Sequence, residues 1–175
     1  MKKMLRMIMV RTLAVSVIVV ALGLLWGGCD RSMVFDQSVS VKGRSWHRAV
    51  QYPFLVTIED TVSAYNLYIN LRHTGDYPYA NLFLFLHSSL PDGRTATDTL
   101  ELVLADARGK WYGSGLGDLL CYRVPYKRGV QMSQSGVYQF SIEQAMRNQA
   151  LPAIVNVGFR VERAQILEAK GVEQK

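Results

Sequence analysis

Apolar and polar residues alternate with a period of two through most of this chain after residue 50, and that alternation restricts the fold more than any other feature. Residues 65–72 read YNLYINLR, which sets Leu67, Ile69 and Leu71 on one side and Tyr68, Asn70 and Arg72 on the other. A β-strand has this period and a helix does not. The same pattern puts Phe54, Val56 and Ile58 on one face, then Tyr138, Phe140 and Ile142, then Val157, Phe159 and Val161. Residues 81–88 are almost wholly apolar, the mark of a central strand or one covered on both sides. Residues 95–104 begin with alternating Thr and end with Leu100, Leu102 and Leu104. Pro91, Asp92 and Gly93 separate two such segments and read as a tight hairpin turn.

Short strands at regular spacing point to an all-β chain, an antiparallel β-sandwich of immunoglobulin-like or jelly-roll-like type with about seven to nine strands. Residues 51–163 would carry it. One short helix is expected over 142–151 (IEQAMRNQAL), rich in helix formers and stopped by Pro152. A polar tail over 164–175 follows and would continue as a frayed helix.

The first 28 residues read as an address rather than part of the fold. Lys2, Lys3, Arg6 and Arg11 precede an apolar run over 12–26, and Gly27, Gly28 and Cys29 follow it. This is the layout of a secretory signal. Fifteen helical residues span about 22 Å, short of a bilayer core of roughly 30 Å. A Cys directly after Gly-Gly resembles the processing site of bacterial lipoproteins, with cleavage between Gly28 and Cys29 and acyl chains added to Cys29. Trp26 at the third position before the cut departs from the usual aliphatic residue. Residues 29–50 then form a lipidated tether and a leading strand. Two or three acyl chains bind a membrane far more durably than one. The alternative reading of this segment is an uncleaved signal anchor.

The formal charge of +6 is concentrated in that leader, so the remainder is close to neutral and gives no footprint for nucleic acid. Once Cys29 is acylated, Cys121 is alone. It makes neither a disulfide nor a redox pair, and it is expected to pack as a small apolar residue. His47, His73 and His87 have no metal-ligand spacing, so no metal site is expected. No nucleophile elbow is present, and Asp92, Asp98 and Asp118 form no recognisable catalytic pair. No catalytic residue and no cofactor is assigned. The segment 113–118 (GSGLGD) lacks the Lys of a phosphate loop and reads as a tightly bent connection. The aromatics Tyr77, Tyr79, Trp111 and Tyr112 remain as binding candidates, able to stack on a sugar or anchor a protein.

Several stretches together resemble one family: 65–72, Asp76 and Tyr77 leading into 81–84, the turn at 90–93, then 98–101, 109–117 (GKWYGSGLG), 136–147 (GVYQFSIEQAMR) and 157–162 (VGFRVE). They are similar to the gliding motility lipoproteins named GldH of Bacteroidota. The resemblance covers most of residues 29–163. It implies a non-enzymatic cell-envelope protein, held to the inner or outer membrane by acyl chains on Cys29 and facing the periplasm. It implies other gliding-machinery proteins as partners, but not motility as the output, because homologues occur in bacteria that do not glide. A surface glycan-binding module, using the loop aromatics, is the alternative.

Overall fold

The computed structural model describes residues 32–164. In chain order the strands are β1 (Met33–Ser40), β2 (Ser45–His47), β3 (Gln51–Ile58), β4 (Ala64–Thr74), β5 (Asn81–Ser89), β6 (Thr95–Val103), β7 (Leu119–Gln131), β8 (Gly136–Gln144), β9 (Ala150–Pro152) and β10 (Ile154–Arg163). One antiparallel sheet runs β1-β10-β4-β7 and the other β3-β8-β5-β6, while β2 and β9 make a two-stranded ribbon. Eight strands build the two layers and the ribbon brings the total to ten.

The alternation explains the layering. Leu67, Ile69 and Leu71 of β4 and Val157, Phe159 and Val161 of β10 are buried, facing Leu82, Leu84 and Leu86 of β5 and Phe54, Val56 and Ile58 of β3. The Phe159 ring stacks on Phe140 at 4.5 Å and on Phe54 at 6.1 Å, joining the two layers at their centre. Each such side chain contributes about 1.5–3 kcal/mol when fully buried. A slip of one residue in any strand would turn this whole set to solvent, so register is strongly specified.

The expected hairpin at Pro91, Asp92 and Gly93 is present. The Gly93 amide donates to Leu90 O at 2.9 Å, with Gly93 at φ +84, and β5 and β6 pair without irregularity from there. The short helix over 142–151 is absent. Ile142 and Gln144 are buried as alternate residues of β8, the chain turns, and residues 150–152 pair with 45–47. Tertiary pairing has overridden local helix propensity here. The only helical segment among the described residues is a 3-10 turn at Lys42–Arg44.

Residues 44–50 do not alternate, yet they carry Trp46, which is fully buried beneath the ribbon and donates from Nε1 to Val50 O at 2.9 Å. Cys121 is a second correction. It lies exposed on the outer face of β7 instead of packing in the interior, because Tyr122 and Val124 take the inward positions of that strand. The tail beyond residue 164 lies outside the described residues, as do Trp26, Gly28 and Cys29.

Candidate functional site

Besides the tie of Tyr126 and Lys127 on β7 to Asp98 on β6, three places among the described residues gather chemistry-bearing side chains. The first is the end where β4 and β10 meet the 104–118 connection. His73 is buried there, its Nδ1 2.9 Å from the Thr74 carbonyl oxygen, which makes Nδ1 the donor and leaves Nε2 a buried acceptor without a hydrogen bond. Burial holds its pKa below the usual histidine value, so the ring is neutral at pH 7. Trp111 packs against that ring at 4.7 Å and Tyr77 at 5.8 Å, with Tyr79 edge-on to Tyr77. Tyr77 is buried and donates to Asn81 O, while Tyr79 donates to Asn148 Oδ1. The structure therefore brings Tyr77, Tyr79 and Trp111 together around His73 as an interior plug. Tyr112 stands apart, 54% exposed and tilted over Tyr122 at 6.2 Å.

The 113–118 connection is shaped by close approach. A Cβ on Gly115 would fall within the carbonyl group of Leu119, and the loop is closed by reciprocal hydrogen bonds between Ser114 and Cys121. Its glycines serve backbone packing rather than a ligand.

The second place is the outer face of the β3-β8-β5-β6 sheet. His87 Nδ1 is 3.0 Å from Thr97 Oγ1, and His87 Nε2 is 3.2 Å from Glu143 Oε2, which also accepts from Gln51 at 2.7 Å. Hydroxyl, imidazole and carboxylate thus lie in the order that acyl transfer uses. The amides of β5 and β8 around them are held in the ladder, however, and do not supply an oxyanion site. The group reads as a polar tie across four strands. Among the described residues, no three His, Cys, Asp or Glu side chains come together to hold a metal.

The third place lies on the opposite outer face. Arg160, on the central strand β10, points outward yet is only 6% exposed. It pairs with Asp36 of β1 at 2.6 Å and with Glu162. Asn70 donates to Asp36, and Arg123 donates to Asn70 and pairs with Glu162 at 3.4 Å. Beside this network the sheet has a depression of about 330 Å³, lined by Asp36, Ser38, Asn70, Arg72, Cys121 and Asn156 among others. Sequence reading missed it because its residues come from four strands far apart in the chain. Each one, taken alone, is an ordinary outward polar position.

No helix among the described residues is long and apolar enough to cross a membrane. Residues 33–161 match the family described as GldH lipoprotein. The chain is 36% identical over 148 residues to the gliding motility lipoprotein GldH homolog of Christiangramia forsetii, covering 81% of this chain and 90% of that one. It is 37% identical over 142 residues to the gliding motility lipoprotein GldH of Flavobacterium johnsoniae, covering 77% and 87%. Among solved structures, the infectious bursal disease virus VP2 subviral particle aligns over 77% of this chain and 42% of that one, with TM-score 0.25 and 13% identity, too low to carry an argument. With the family match spanning almost the whole sandwich and two curated relatives above one-third identity, the chain belongs to the GldH lipoprotein family.

Proposed function

We propose that this protein is a membrane-anchored envelope lipoprotein that acts as a non-catalytic assembly component of a gliding-type machinery. Acyl chains on Cys29 hold it to a leaflet. Three residues lie between Cys29 and Met33, so the four steps reach about 14 Å at full extension. That distance keeps the end of the sandwich where β1 begins close to the membrane and turns the opposite end away from it.

The observation that carries the assembly role is the β6 edge. Exposed sheet edges invite strand addition, and natural sheets guard them with bulges, prolines and charges. β1 has a register shift near Met33 and Phe35, β3 carries Pro53, and β7 carries Pro125, Gly129 and two register shifts. β6 has regular register over all nine residues and contains neither Pro nor Gly, and its two charges are engaged by neighbouring strands, Asp98 by Tyr126 and Lys127 and Glu101 by Asn81. Leu104 donates to Ala80 O and Leu90 donates to Arg94 O, so even-numbered residues of β6 bond to β5. By the antiparallel pattern Thr95, Thr97, Thr99, Glu101 and Val103 turn their backbone groups to the open side. A strand donated by an envelope partner fits that row.

Two measurements test this reading. Incorporation of labelled palmitate should be lost in Cys29→Ala, and retention of the label would remove the anchor. A photocrosslinker at Thr99 in intact cells should trap an envelope protein, and the product should vanish when Thr97→Lys is added as an edge guard. A folded, acylated protein that traps nothing from β6 would end the strand-addition role.

A further inference from the structure

The depression on the outer face of the β1-β10-β4-β7 sheet goes beyond an assembly role, because its chemistry fits a small ligand rather than a strand. Its lining comes from two neighbouring cross-strand rows. Register places Ser38, Gly158, Asn70 and Arg123 in one row across the four strands. Gly158 leaves that row without a side chain at its centre. A Cβ there would stand 2.7 Å from the Gln37 carbonyl oxygen and closer still to Ser38 Oγ. Ser38 therefore folds over Gly158 and fills that space, and the basin opens beside it, over Asn70, Arg72 and Asn156.

The next row reads Ser40, Asn156, Arg72 and Cys121. Asn156 donates from Nδ2 to Ser40 Oγ at 3.0 Å, and its own carbonyl oxygen has no hydrogen bond among the described residues. Below the basin, Arg160 and Arg123 are balanced by Asp36 and Glu162. Arg72 is the cation left over, with neither an ion pair nor a hydrogen bond among the described residues. The basin thus combines one uncompensated guanidinium with carboxamide and hydroxyl groups beside an ionic network centred on the buried Arg160. A guanidinium suits a carboxylate or phosphate oxygen pair, and the amides and hydroxyl suit ring hydroxyls through both donor and acceptor atoms. The volume of about 330 Å³ is at the lower end of small-molecule sites.

We infer that this basin binds an acidic saccharide, a hydroxylated ring bearing one carboxylate or phosphate, with Arg72 taking the anionic group and Asn156, Asn70 and Ser38 the hydroxyls. The site uses none of the loop aromatics Tyr77, Tyr79, Trp111 and Tyr112, although Tyr112 packs over Tyr122 at its border. Because β7 places Cys121 at the rim opposite Arg72, the protein carries its own reporter of occupancy.

The test measures maleimide labelling of Cys121 in the full chain, in detergent, with peptide mapping to separate it from Cys29. A ligand at ten times its dissociation constant leaves about one-tenth of sites open, so labelling should slow about tenfold. Galacturonic acid trimer and a hexose phosphate distinguish a uronate from a phosphorylated sugar. Protection by either, absent with neutral galactotriose and lost in Arg72→Gln but kept in Arg94→Gln, supports the site. Asn156→Ala should weaken protection with the fold retained by circular dichroism. The inference is overturned if neither acidic sugar protects Cys121. It is overturned equally if inorganic phosphate alone protects as well as the sugars, or if the neutral trimer does. Labelling of Cys29 in the same map would contradict the acyl anchor without touching the basin.

Discussion

The two ends of the sandwich are built by different means. Where β1 begins and β10 stops, the connections are short and tied by aspartates. Asp60 accepts from the amides of Val62 and Ser63, and Asp92 accepts from the Arg94 amide and from Gln134. Tyr138 closes the 132–136 turn by bonding both backbone groups of Gln134. At the other end lie the 104–118 connection, the β2-β9 ribbon over Trp46, and the aromatic plug around His73. One end is fastened by exposed carboxylates and the other by buried rings, which makes their responses to mutation and to acid separable. The length and exposure of the connections also lie at the end remote from Met33.

Removing the ring under the ribbon should separate the ends most. Trp46→Ala is expected to lose about 3–5 kcal/mol, read as a lower midpoint in chemical denaturation. A loss below 1 kcal/mol would show that the ribbon is an ornament on the fold.

The next largest difference is in mild acid. His73 is buried neutral with its pKa below the usual value of 6.5, so between the folded and unfolded values the unfolded chain binds more protons. Stability at the plug therefore falls as the pH drops below 6.5. His73→Phe keeps the ring contact with Trp111 and removes the acceptor that lacks a partner. It should flatten thermal stability through this window and gain about 1 kcal/mol or more, since an unpaired buried polar atom costs roughly that much. A variant with the wild-type pH slope would place the effect elsewhere.

At the aspartate end Tyr138→Phe should lose about 1 kcal/mol, the net worth of an ordinary hydrogen-bonded hydroxyl. The smallest effect belongs to Asp60. Hydrogen bonds from Ser63, side chain and then backbone, and from the Val62 amide lower its carboxyl to about 2. A carboxylate with a depressed pKa stabilises the fold above its unfolded value of 3.8, and that contribution is lost as pH falls through the folded value. Asp60→Asn should therefore lower the thermal midpoint slightly at neutral pH, by an amount that shrinks as the pH approaches 2 and is lost below it. The reverse order of the two acid responses, with Asp60 acting above pH 5, would break the contrast between the ends.

What was legible in the chain follows the same division. Strands whose inner faces meet the other layer, such as β4, β8 and β10, announced themselves by strict alternation. β7 did not, because Pro125 and Gly129 sit in it. An edge strand tolerates both, and there they lie among its register shifts. Residues 142–151 have helix-forming composition, and only the pairing of β9 with β2 shows why a helix does not form. Trp46 lies in a strand too short for any period to register. The basin was invisible for a different reason. Ser38, Asn70, Arg72 and Asn156 each read as a separate outward polar residue until pairing sets them side by side.

Arg163 donates to Ser32 O at 2.7 Å, so the beginning and end of the folded body are hydrogen-bonded neighbours. A short linker across that gap, with a new opening at Leu116, would reorder the polypeptide without disturbing either sheet. Such a permutant would carry its lipidation signal on the opposite pole and hang the body upside down from the leaflet, so that each surface could be offered to the membrane in turn.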